Sequence, residues 1–146
     1  MSDIIREQDS RTAALLGSGA CDILKKSKVA VFGVGGVGGN LCEALARAGV
    51  GQIDLFDGDV VSESNINRQI IALHSTVGRP KVEVMKERIA DINPDCKVNI
   101  ISKFYLPENE GKVNADHYPF LYCKAELMHN ETEIDYTKYY MFTRKK

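Results

Sequence analysis

The sequence predicts an α/β fold, a Rossmann-like parallel sheet with flanking helices, and three observations carry that expectation. An apolar run, Val29 to Phe32, leads into the turn Gly-Val-Gly-Gly-Val-Gly-Gly at 33–39 and then a helix-like stretch from Leu41 to Ala48. A second run, Ile53-Asp54-Leu55-Phe56, is closed by Asp57, about 20 residues beyond Gly38, the separation expected between a phosphate turn and the acid that grips a ribose. The order strand, helix, strand, long loop, helix, strand then describes one half of a doubly wound sheet.

Taken in order, residues 10–26 carry two short helical patterns broken near Gly17 and Gly19, with Leu15, Leu16, Ile23 and Leu24 as their apolar positions. The first strand is expected at 29–32 and the first sheet-packing helix at about 38–48, stopped by Gly49 and Gly51. A strand at 52–56 follows, then a polar loop from Asp57 to about Pro80. The next helix, about 81–92, puts Val82, Met85, Ile89 and Ile92 on one face, and Pro94 stands beyond its end. A third strand is expected at 98–101. These strands are apolar runs rather than strict alternations, as expected when helices cover both faces of a sheet. Beyond Leu106 the pattern weakens, and only Phe120–Cys123 and Tyr139–Thr143 read as short strands.

A chain of 146 residues suits one domain with a real core. Its 19 Lys and Arg against 20 Asp and Glu leave a net charge of −1, which gives no bulk basic field for non-specific nucleic-acid binding. No secretory signal or membrane span is legible, so a cytoplasmic protein is expected. Cys21, Cys42, Cys96 and Cys123 lie far apart without C-x-x-C pairing and read as reduced thiols, with Cys42 the clearest core candidate. His74, His117 and His129 are equally scattered and support neither a metal cluster nor a dyad.

The glycine turn joins a buried strand to a helix whose first N–H groups lack partners, which makes an anion site open to close approach by a phosphate. The loop after the second strand adds Asp57 and Asp59, then Ser64, Asn65, Asn67, Arg68 and Gln69, then Gly78, Pro80 and Lys81. It leaves the carboxyl edge of the sheet, where ligands bind in open parallel folds. Asp57 suits ribose hydroxyls, Asp59 suits Mg²⁺, Asn65 and Arg68 suit phosphate oxygens, and Lys81 adds a point charge. Each also has a structural reading, as turn former, cap or solvated charge.

The segments GVGGVGG, DGDVVSESNINRQ, STVGRPKVEVMKERIADINP and SRTAALLG closely resemble the ThiF/MoeB/HesA family, bacterial relatives of ubiquitin-activating enzymes. FGVGGVGG, TVGRPKVEVMKERIADINPDC and FYLPEN are most similar to the branch that dehydrates threonylcarbamoyladenosine in tRNA, and the resemblance covers about 10–109. It implies ATP and Mg²⁺ as cofactors and adenylation of a carboxylate, with tRNA carrying threonylcarbamoyladenosine as substrate. The alternatives are a sulfur-carrier or ubiquitin-like protein as acceptor, with sulfur-transfer partners, or a non-catalytic ATP-binding fragment. An NAD-dependent oxidoreductase fits less well, because it does not require the Asn, Arg and Lys of the 57–81 loop. Carried onto this chain, Gly33, Gly35, Gly36 and Gly38 form the phosphate turn, and Asp57 holds the ribose. Asn65, Arg68 and Lys81 surround the phosphates, with Gln69 nearby and Asp59 toward the metal, while Arg11 matches the arginine that family dimers lend to the neighbouring ATP site.

The pattern breaks after about residue 109, where the family continues with a fourth strand ending in a metal-supporting aspartate; here Glu126 falls opposite that acid and Cys123 opposite another. The expectation is therefore a Rossmann-like ATP-binding unit at 1–106 and a divergent tail at 107–146, as in a truncated or frameshifted product or a short paralogue. Without the second half of the sheet, the first strand is left with an open edge. The tail, a second copy of the chain, or aggregation would have to cover it, and a homodimer is expected.

Overall fold

The computed structural model describes residues 6–103 in full and, beyond them, the backbone of the strands at 120–124 and 139–143. A single 3-10 turn, Glu7–Asp9, precedes α1 (Ser10–Leu16) and α2 (Ser18–Lys26), which are split at Gly17 as expected, whereas Gly19, also expected at the break, lies in the first turn of α2. Then come β1 (Lys28–Phe32), α3 (Gly36–Ala48), β2 (Gln52–Phe56), α4 (Lys81–Ile92) and β3 (Lys97–Ile101). Within the 57–80 loop, a 3-10 turn at Glu63–Asn65 is closed by a capping box between Ser62 and Asn65.

β1, β2 and β3 pair in parallel, with Phe32 opposite Phe56 and Phe56 opposite Ile101, so all three strands end on the same line. That line is the carboxyl edge. On one face Val29, Val31, Ile53 and Leu55 pack against Cys42 and Ala46 of α3 and Val82, Met85 and Ile89 of α4, with Val98 and Ile100 partly buried beside them. Burying a side chain such as Ile53 or Met85 contributes about 1.5–3 kcal/mol, so this interface fixes α3 and α4 on the sheet. The opposite face of β2 and β3 carries Gln52, Asp54 and Asn99 before it ends at Phe56 and Ile101. Asp54 is buried there and accepts from Gln52 Nε2 at 3.0 Å and Asn99 Nδ2 at 2.7 Å.

The sheet runs β3-β2-β1-β4-β5, with β4 (Phe120–Lys124) parallel to β1 and β5 (Tyr139–Thr143) antiparallel to β4. Of the three ways to cover the open edge of β1, the tail strand β4 does so in this chain, from Val29 opposite Phe120 to Phe32 opposite Cys123. Glu126 and the side chain of Cys123 lie outside the described residues.

Of the four apolar positions read in α1 and α2, three face outward. Leu15, Leu16 and Ile23 are exposed, at 82%, 60% and 68%, and only Leu24 packs against the core. Among the described residues no helix is long and apolar enough to cross a membrane. Cys21, Cys42 and Cys96 are buried free thiols; burial pushes Cys42 up to about 12 and Cys96 up to about 11.

Candidate nucleotide site

The site is built where β1 and β2 end. Phe32 and Phe56 stack across the register with ring centroids 4.5 Å apart. One residue on, Gly33 turns the chain in the left-handed region, with φ 89°, and donates its N–H to the Phe56 carbonyl at 2.7 Å. Gly35 caps α3 in extended backbone, and the helix begins at Gly36, two residues before the expected start at 38. Gly38 is fixed by proximity: a Cβ there would run into the carbonyl oxygen of Gly33. Strand end and helix therefore approach closely enough to leave a cradle of backbone N–H groups.

Asp57 organises this cradle. Its buried carboxylate accepts the Val34 N–H at 2.7 Å on Oδ2 and the Asp59 N–H at 2.8 Å on Oδ1. The acid expected to hold a ribose thus also ties the glycine turn to the start of the loop, and each oxygen keeps acceptor capacity for a hydroxyl. Sequence reasoning missed this bracing role, because a backbone N–H partner leaves no mark in residue identity.

The loop then folds back on itself. Val60 and Pro80 form an antiparallel bridge, Val61 N–H donates to the Arg79 carbonyl at 2.8 Å, and Lys81 N–H donates to the Asp59 carbonyl at 3.0 Å. This clamp brings Lys81, the first residue of α4, beside Asp59, with Nζ 3.1 Å from Oδ2. Asn65 is buried, and its Oδ1 accepts the Ser62 N–H at 3.0 Å, which fixes the 3-10 turn that presents Arg68. Arg68 is exposed, anchored through Nη1 to the Ser64 carbonyl and Asn67 Oδ1 at 3.0 Å each. It crosses the start of α3, where an ideal Cβ on Gly36 would sit 3.5 Å from the Arg68 carbonyl oxygen and 3.9 Å from its Cγ.

Gln69 is buried, and its Oε1 is the one buried side-chain polar atom without a partner among the described residues. Such an atom costs about 1–3 kcal/mol unless a ligand or water satisfies it. The structure thus brings Arg68 against the glycine cradle, braces the cradle through Asp57, and clamps Lys81 to Asp59. Arg11 stands apart from this group, exposed on α1, which packs against α2 and the first 3-10 turn.

This local arrangement has known counterparts. Residues 9–118 match the model of the ThiF family, a little beyond the 109 reached by the sequence resemblance. The chain belongs to the ThiF family. It is 55% identical over 101 residues to the tRNA threonylcarbamoyladenosine dehydratase of Bacillus subtilis, a match covering 69% of this chain and 40% of that protein. Molybdopterin-synthase adenylyltransferase of Salmonella typhimurium is 43% identical over 102 residues, covering 70% of this chain and 41% of that one. Among solved structures, the E. coli tRNA N6-threonylcarbamoyladenosine dehydratase in complex with ATP superposes with a TM-score of 0.78 at 42% identity, covering 82% of this chain and 49% of the other. The chain therefore spans about half or less of the length of these ThiF-family relatives.

Among the described residues no three His, Cys, Asp or Glu side chains gather into a metal site. Asp59, with its side chain 47% exposed at the carboxyl edge, suits the one-carboxylate contact that Mg²⁺ makes when phosphate oxygens and waters supply the rest of its shell.

Proposed function

We propose that residues 1–106 form the ATP-binding unit of an adenylating enzyme that activates the threonyl carboxylate of threonylcarbamoyladenosine in tRNA for cyclisation, with 107–146 adding β4 and β5 to its sheet. The observation that carries this reading is the convergence of the glycine cradle, Arg68 and the Lys81–Asp59 pair on one edge of the sheet. The higher identity to the Bacillus dehydratase than to the Salmonella adenylyltransferase favours the tRNA substrate over a sulfur-carrier protein.

In this reading Gly33, its own N–H held by the Phe56 carbonyl, shapes the turn, the N–H groups from Gly35 to Gly38 receive phosphate oxygens, and Asp57 accepts from the ribose hydroxyls. Arg68 offers a planar fork of charged donors, Lys81 a point charge and Asn65 its Nδ2 amide, while Gln69 lies behind them. Asp59 would contact the Mg²⁺ that accompanies the triphosphate and offsets its charge. The acceptor carboxylate oxygen bonds to the α-phosphorus as the bond to the β-phosphate oxygen breaks and pyrophosphate leaves. In the dehydratase reaction the activated carbonyl is then captured within the same substrate, releasing AMP. Catalysis by these side chains is positioning and charge stabilisation.

Arg11 is read as serving the site of a second copy in a homodimer. Its exposure on α1 beside exposed Leu15 and Leu16 supports that assignment, since apolar groups of this size are favourable to bury between subunits. Buried free thiols suit a reducing cytoplasm.

The test is ATP–pyrophosphate exchange with three acceptors: modified tRNA, unmodified tRNA and a sulfur-carrier panel. Exchange that requires the modified tRNA and falls in Arg68→Ala is expected. Exchange driven by a carrier protein would transfer the reading to the other branch, and ATP binding without exchange would reduce the chain to a nucleotide-binding module.

A further inference from the structure

The Lys81 side chain is only 7% exposed, at the first position of α4. Both facts disfavour a cation there: burial strips its water, and the helix start carries partial positive charge. Its one carboxylate partner among the described residues is Asp59, at 3.1 Å. The partners are unequal, because Asp59 is 47% exposed and can turn to solvent, whereas Lys81 cannot. The backbone around the pair is fixed independently of the ion pair, by the Lys81 N–H to Asp59 carbonyl bond, the Val60–Pro80 bridge and the Asp59 N–H to Asp57 bond. Moving the Asp59 carboxylate therefore disturbs no backbone contact. Asp57 is held in place by the N–H groups of Val34 and Asp59.

We propose that Asp59 is a placeholder anion: it holds the Lys81 ammonium in the nucleotide-free protein and yields it to a phosphate oxygen of ATP. Asp59 is thus a positioning residue that acts through Lys81. This inference rests on the ATP-site reading above and adds a competition that the reading alone does not contain.

The experiment is calorimetric titration of ATP in EDTA, so that metal binding plays no part, into wild type, Asp59→Asn, Lys81→Met and the double variant. Removing the competing carboxylate should tighten ATP binding about tenfold in Asp59→Asn, with no such gain when Lys81 is already Met. Asp59→Asn should also lower the melting temperature of the free protein and widen its rise on adding ATP. Asp59→Ser is the second variant should the asparagine form fail to fold. In wild type, the ¹³C resonance of the Asp59 carboxyl should shift on adding ATP and EDTA toward its position in Lys81→Met. Unchanged affinity in EDTA, or a loss seen only with Mg²⁺, would overturn the placeholder role and leave Asp59 as a metal contact. Absence of ATP binding by wild type would overturn the site reading itself, and this inference with it.

Discussion

Gly38→Ala tests whether the close approach of α3 to the end of β1 is what builds the phosphate cradle. The new Cβ would collide with the Gly33 carbonyl oxygen and lie 3.0 Å from its carbonyl carbon, both backbone atoms. Gly33 cannot retreat, because its N–H is bonded to the Phe56 carbonyl at 2.7 Å, so relief must come from movement of α3. Overpacking against backbone of this kind belongs at the upper end of the usual range, about 3 kcal/mol. For a domain of this size that corresponds to a fall of roughly 10 °C in melting temperature. ATP affinity should be lost with it, since the helix must slide away from the turn. Gly36→Ala is the internal control, because its Cβ meets only ordinary contacts at 3.5 and 3.9 Å, both to Arg68. Its stability should be unchanged or raised by up to about 1 kcal/mol through helix propensity, while ATP binding weakens because the methyl projects toward Arg68. Thermal and urea melts of the two variants, each followed by ATP titration, read both effects. A Gly38→Ala protein that melts within about 2 °C of wild type would refute the packing argument.

Three further outcomes follow from the described contacts. Asp57→Asn should cost about 1.5–3 kcal/mol in urea denaturation, because its amide nitrogen must face the N–H of either Val34 or Asp59; an unchanged midpoint would contradict the bracing role. Cys42 and Cys96, with thiols pushed up to about 12 and about 11, should resist a thiol-specific reagent at pH 8 in the native protein and react on unfolding, whereas native labelling on the unfolded timescale would contradict their burial. Hydrogen bonds from Arg88 and Arg47 hold the Glu43 carboxyl below its ordinary 4.5, so its contribution is present at neutral pH and is lost as pH falls below that value. Glu43→Gln should accordingly flatten the loss of stability between pH 5 and 3 seen by chemical denaturation, and parallel curves would refute the assignment.

Much of the fold was legible because its determinants are local. The run at 29–32, the glycine breaks at 17 and 49, and the Val82, Met85, Ile89 stripe of α4 each state their structure in a few residues. The start of α3 was displaced because Gly36 lacks a side-chain signal, although its backbone is already helical. Asp54 sat within an apolar run, and only the register with β3 reveals that it pairs with Asn99 on the face away from α3 and α4. The residue types of the nucleotide site were legible, but their mutual dependence was not. Asp57 spends its oxygens on two backbone N–H groups, and Lys81 is buried against Asp59 by a clamp formed from residues far apart in sequence. The Ser62–Asn65 capping box carries a readable Ser-x-x-Asn signal and explains why Asn65 is buried.

The central claim is that ATP binds at the carboxyl edge, between the glycine turn and Arg68. Its most direct measurement is calorimetric titration of ATP with Mg²⁺ into wild type and Arg68→Ala. The account predicts saturable binding by the wild type and a loss of at least tenfold in the variant, the size of one or two charge-assisted hydrogen bonds. Binding that is absent in wild type, or equal in the two proteins, would contradict it.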